Sequence, residues 1–174
     1  MRDFKEVEHG LIVRLLEFWG IPLSVFPRKR FLYYSKREIV LVSEELFRFT
    51  SEVESEFDRL TDRIRSLGLK AFILKGREWV PTLEFLQFCS RYVKSRIALI
   101  ESETGFRKVL MGLPLEPSEF TLSPELLSGN SLSRSIGWVG VSYPELCDII
   151  GLGKLVGTKL KVYMPSSWRR QLMS

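Results

Sequence analysis

Three stretches near the end of the chain, GWVGVSY at 137–143, IIGLGKLV at 149–156 and TKLKVYM at 158–164, decide how the rest is read. Each is a short run of β-branched and apolar residues set between glycine and proline punctuation, the pattern of closely spaced β-strands. A turn is expected from Pro144 to Asp148, and a basic end follows at Trp168, Arg169 and Arg170. From Ile149 to Ser174 there are five basic residues, Lys154, Lys159, Lys161, Arg169 and Arg170, and no acidic one. The expectation is a small β-structure with an unopposed positive edge.

The whole chain sets the bounds. Its 174 residues fit one domain or two small ones and suffice for a real core. Apolar residues make up 45% and charged residues 27%, an ordinary globular balance that argues against extended disorder. A net charge of +5 admits a polyanionic partner. No apolar run approaches the roughly 20 residues that span a bilayer, and the charged start MRDFKEVEHG is no secretory signal. A soluble, intracellular protein with no membrane partner is therefore expected. Cys89 and Cys147 have no CxxC spacing, and the chain has one histidine, His9. A structural zinc site needs about four ligands, so no metal is expected and both cysteines read as small apolar fillers.

Taken in order, Phe4, Val7, Leu11, Ile12, Leu15, Leu16 and Trp19 recur at steps of three and four, predicting an amphipathic helix that ends at Gly20. Ile21 to Phe26 reads as extended and leads into Arg28, Lys29 and Arg30, then FLYYS, Lys36-Arg37 and IVLVS. Ser43 is placed to cap a helix with Glu44 and Glu45 in its first turn. A second periodic stretch from Val53 to Leu67 has an acid-rich outer face. Leu69 to Leu74 is β-like, 75–78 a turn, Trp79-Val80 the return, and Thr82 the cap of a further helix. Lys94-Ser95-Arg96 marks a boundary between domains at 1–94 and 95–174. Beyond it, Ile97 to Ile100 reads as a strand, 101–105 as a hairpin loop, Phe106 to Met111 as a second strand ending at Gly112, and 128–135 as a polar loop.

No constellation for catalysis stands out. Gly151 and Gly153 form the only G-x-G, without the third glycine or the strand-to-helix turn of a dinucleotide site. There is no GxxxxGK[ST], HExxH or G-x-S-x-G, and acid–base or nucleophilic triads built on imidazole have one candidate, His9, on the N-terminal helix. No cofactor is expected. What the chain does offer is basic residues interleaved with aromatics. Residues 27–37 hold five basic side chains and no acid, together with Phe31, Tyr33 and Tyr34. The C-terminal edge adds Tyr163 and Trp168 to its lysines and arginines. Cations neutralise phosphates and aromatic faces stack on unpaired bases, so the pattern admits RNA as a partner; it equally admits Phe31, Tyr33 and Trp168 as core or lid residues beside charges that only aid solubility.

The order of motifs resembles PUA-domain proteins, and specifically the Nip-seven family of large-subunit ribosome-biogenesis factors. The matching pieces are LYYSKREIVLVSEEL, then SLGLKAFILKGREWVPTLEFLQFCSRY, then the segment closing on LMGLPL, then IIGLGKLV. Gly112 matches a glycine that ends a PUA strand, and Gly151 with Gly153 matches the late glycine pair. The resemblance implies an α+β chain: an N-terminal α/β domain of antiparallel strands and helices, followed by a small PUA β-barrel. It implies a non-catalytic protein that binds ribosomal or pre-ribosomal RNA through the barrel's basic edge and meets ribosome-assembly proteins, in the cytoplasm or, in a nucleated cell, the nucleolus. Lys154, Lys159, Lys161, Arg169 and Arg170, with Arg28, Lys29 and Arg30 as a second patch, are the expected RNA-binding residues. Two alternatives are a protein-assembly module built on the acidic stretch 52–65 and an accessory that delivers RNA to a modifying enzyme.

Overall fold

The computed structural model describes residues 5–52, 68–128, 137–146 and 148–173. The chain is a mixed α+β protein whose described strands form one four-stranded and one five-stranded sheet. It divides into two compact units, one of residues 1–17 and 21–88, the other of 18–20 and 89–174.

In the first unit, α1 (His9–Phe18) is followed by β1 (Lys29–Ser35), β2 (Glu38–Ser43), α2 (Glu44–Glu52), β3 (Leu69–Lys75), β4 (Glu78–Pro81) and α3 (Leu83–Phe88). The strands pair in chain order, every pair antiparallel. β2 is central, and its IVLV run is buried on both faces, as a strand covered on both sides must be. Leu32, Val40 and Val42 meet Leu46 and Phe47 of α2 on one side. On the other, Phe31 and Phe72 join Phe26 and Phe85 in an aromatic cluster with ring centroids 5.1–6.2 Å apart. Each such ring, fully buried, is worth about 1.5–3 kcal/mol.

The expected caps are present. Ser43 Oγ accepts from the Leu46 N–H at 3.1 Å, and Thr82 Oγ1 accepts from the Phe85 N–H at 3.2 Å while donating to the Lys70 carbonyl. Two differences stand out. Ile21 to Phe26 is not simply extended, because Leu23–Val25 form a 3-10 turn after Pro22. His9 is exposed and opens α1, whose helical turns begin after Val7 has already joined β1 through an N–H bond to the Phe31 carbonyl. The periodic stretch from Val53 to Leu67 lies outside the described residues.

In the second unit the order is β5 (Ile97–Ile100), α4 (Glu103–Leu110), β6 (Phe120–Leu122), α5 (Pro124–Ser128), β7 (Trp138–Tyr143), β8 (Asp148–Val156), β9 (Lys159–Tyr163) and α6 (Ser166–Met173). The sheet runs β6-β5-β7-β8-β9, with β5 and β7 parallel and the other pairs antiparallel. It curls into a half-barrel. Leu115 pairs with Leu160 through two backbone bonds of 2.9 and 3.0 Å, so the far side of β9 is partly satisfied. The inner face carries Ala98, Ile100, Val139, Val141, Leu160 and Val162, all buried, with Val109 and Leu110 of α4 packed into the same core.

Glu101 to Met111 is not a hairpin loop and strand: residues 103–110 are helical, and Gly112 ends a helix, not a strand. Ser102 Oγ caps the helix by accepting from the Gly105 N–H at 3.0 Å, Glu103 sits in the first turn, and Arg107 and Lys108 sit in the last. Gly112 adopts φ 74°, its N–H bonds the Val109 carbonyl, and the Leu113 N–H bonds the Lys108 carbonyl. Those two bonds form a Schellman C-cap, in which glycine is favoured because the left-handed backbone crowds a Cβ. The polar loop expected at 128–135 lies outside the described residues beyond Ser128.

Gly151 and Gly153 do lie in a strand, within β8, as the sequence suggested. A Cβ on Gly153 would come within 2.8–3.0 Å of Leu160, Val141 and Val139, and one on Gly151 would come within 2.9 Å of Val162. Both glycines make room on the concave face for the side chains of neighbouring strands.

Candidate nucleic-acid interface

Strand alternation builds the outer face of the second sheet. Along β9, Leu160 and Val162 turn inward and are buried, while Lys159, Lys161 and Tyr163 are exposed. Register sets the cross-strand neighbours: Trp138 pairs with Lys154, and Lys154 with Lys161, so the three form one rung across β7, β8 and β9. Adjacent strands lie about 4.8 Å apart, so Lys154 and Lys161 are direct cross-strand neighbours. Tyr163 stands two residues beyond Lys161 on the same face, paired with Leu152. The Trp138 and Tyr163 rings meet with centroids 5.4 Å apart and planes tilted by 47°. Lys154 Nζ lies 5.5 Å from the Trp138 centroid, and Lys161 Nζ 5.4 Å from that of Tyr163.

Among the described residues, no carboxylate pairs with Lys154 or Lys161. Lys159 differs, because its ammonium bonds Glu116 at 2.7 Å. Both partners are about half exposed, so the pair is worth little, about 0–1 kcal/mol. Arg170 is exposed on α6, and Arg169 lies in the same helix. Trp168 is not offered for stacking, since it packs on the apolar core.

The other basic stretch has a different setting. Arg30 bonds Glu6 at 3.3 Å and Glu44 at 3.5 Å. Arg28 and Lys29 are exposed and stand near Glu45 at the start of α2. The Glu45 carboxyl is held below the usual carboxylate range, first by its own backbone N–H and the Ser43 hydroxyl, with Lys29 and Arg28 adding to the effect. Phe31, expected among the stacking aromatics, is buried in the core, while Tyr33 is half-buried with its ring 6.2 Å from Trp79. Arg28 itself is held at φ 58°, where its carbonyl accepts the Glu44 N–H at 3.0 Å.

The second unit also has an open cleft of about 220 Å³ lined by residues that include Arg91, Ser142 and Asp148. Two of its polar groups bond the backbone: Ser142 Oγ donates to the Asp148 carbonyl, and the Asp148 carboxylate accepts from the Ile149 N–H at 2.7 Å. Cys89 is fully buried, and burial pushes its thiol up to about 12, so it is an apolar filler at neutral pH. Cys147 lies outside the described residues. Among the described residues, no group of three or more His, Cys, Asp or Glu side chains is placed to hold a metal, and no helix is long and apolar enough to cross a membrane.

The residue missed in the sequence is Trp138. Alternation along WVGVSY already sets Trp138, Gly140 and Ser142 on one face, but only the register of β7 against β8 brings the indole beside Lys154. No protein-family model matches this chain, and no curated protein matches it at a significant level.

Proposed function

We propose that this chain is a non-catalytic RNA-binding protein of the PUA kind, similar to the Nip-seven family, that grips ribosomal or pre-ribosomal RNA and assists ribosome assembly. Its workplace would be the cytoplasm, or the nucleolus of a nucleated cell, and its protein partners would be other assembly factors. The reading rests above all on one observation: Lys154 and Lys161 stand side by side on an open sheet face, with no carboxylate paired to either among the described residues. Two adjacent cations of that kind suit consecutive phosphates, because each contact releases a condensed counterion. The curled five-stranded sheet and its Leu115–Leu160 closure are compatible with a PUA barrel.

Fluorescence anisotropy of a labelled rRNA fragment, titrated with the full chain at several salt concentrations, tests the proposal. Affinity should fall steeply as salt rises, by about 0.7 log units per tenfold salt for each single-strand phosphate engaged. Absence of binding at low salt would overturn it. So would capture of assembly partners that survives nuclease treatment in a chain with no measurable RNA affinity.

A further inference from the structure

We infer that Trp138 and Tyr163 form a stacking platform for unpaired bases, which makes the preferred ligand single-stranded RNA and not duplex. This rests on the RNA reading above and narrows it. The two rings sit on β7 and β9, one strand apart on either side of β8, yet their centroids are only 5.4 Å apart, so they approach each other over the middle strand. A tilt of 47° keeps them from stacking flat on one another. The core beneath is filled by the inward alternates Val139, Val141, Leu160 and Val162, whereas Tyr163 is 44% exposed.

In the free protein an ammonium lies over each ring, Lys154 over Trp138 and Lys161 over Tyr163. An exposed cation–π contact is weaker than the stacking of a base on an aromatic face. A nucleotide therefore offers both groups a better partner at once: its base takes the ring, and its phosphate takes the displaced ammonium. The spacing of the rung favours such an exchange, since cation and ring alternate on one surface: Lys154 beside Trp138, Lys161 two residues from Tyr163. A duplex keeps its base faces stacked inside and can satisfy only the lysines. Charge selects the polyanion over a protein partner, because the chain from Ile149 onward carries no acidic residue.

The test uses the full chain, a short unpaired RNA oligonucleotide of mixed sequence, and an abasic oligonucleotide with the same number of phosphates. Tyr163→Val, which suits an exposed strand position, should weaken binding of the RNA by roughly 5- to 150-fold. The salt slope should stay as in the wild type, and affinity for the abasic strand should not change. Tyr163→Phe should restore binding, and Trp138→Val should repeat the loss, with thermal melts confirming that each variant folds. Duplex RNA should compete poorly. Equal loss on both oligonucleotides, or no loss on either while Lys154→Gln with Lys161→Gln weakens both, would overturn the platform and leave the RNA reading standing. If the wild-type chain binds neither oligonucleotide at low salt, the RNA reading falls, and the platform with it.

Discussion

The chain has two basic stretches that look alike in composition, Arg28–Arg30 and Lys154–Lys161, and the fold treats them differently. The first sits where β1 enters the sheet and α2 begins, so Glu6 and Glu44 reach Arg30, and Glu45 faces Arg28 and Lys29. Those carboxylates come from 14 to 24 residues away in the case of the Arg30 bonds. The second stretch lies on a hairpin whose neighbour across the sheet is a tryptophan, with a tyrosine two residues beyond Lys161 on the same face. Among the described residues only Lys159, at its edge, meets an acid. Whether a run of cations is left open to a polyanion depends on the carboxylates the fold brings to it, which is a property of topology, not of local sequence.

Six variants probe the two regions. The largest effect is expected from Gly153→Ala, which forces a Cβ against three core side chains beneath the Lys154–Lys161 rung. Overpacking of this kind costs about 1–3 kcal/mol, read as a lower denaturant midpoint. Gly157→Ala at the tip of the β8–β9 hairpin has open space around it and φ 62°, so backbone strain is its sole cost and the loss should be smaller. Next comes Lys154→Gln with Lys161→Gln. Removing two single-strand phosphate contacts should weaken RNA binding about 25-fold at 0.1 M salt, whereas Arg28→Gln with Lys29→Gln should change it only a few-fold. Third, Glu6→Gln with Glu44→Gln frees Arg30 and should raise RNA affinity, about fivefold if one phosphate contact is gained. An unchanged affinity would mean that the acids do not explain the contrast. The smallest effect is on stability: Arg30→Gln breaks one exposed and one part-buried pair and should cost less than about 1 kcal/mol in a urea titration.

Much of the fold was legible because local and tertiary preferences agree. IVLV at 39–42 is β-branched and apolar throughout, and it is the strand buried on both faces. Ser43 and Thr82 cap helices by the geometry their position before an apolar run suggests. The segment 103–110 failed for a physical reason. Phe106, Val109 and Leu110 fit the helical steps of three and four as well as they fit a short strand, and two turns give periodicity little room to decide. The cap signals were present, with Ser102, Glu103, Lys108 and Gly112 in the right order, and they outweigh β-propensity over so short a span. At the interface, alternation placed Lys159, Lys161 and Tyr163 on one face, so part of it could be read from the chain. The partnership of Trp138 with Lys154 required the register across β7 and β8, and the bulge between Val141 and Ser142 shifts that register in a way composition does not encode. Trp168 and Phe31 show the converse: both are aromatics beside cations in sequence, yet each packs on a core instead.

The central claim is that Lys154 and Lys161 are the phosphate-binding pair. Its most direct test is the slope of log affinity against log salt for an unpaired RNA, measured on the wild-type chain and on Lys154→Gln with Lys161→Gln. The variant should show a slope shallower by about 1.4, two contacts at about 0.7 each. Equal slopes for the two proteins, with measurable binding by both, would contradict it.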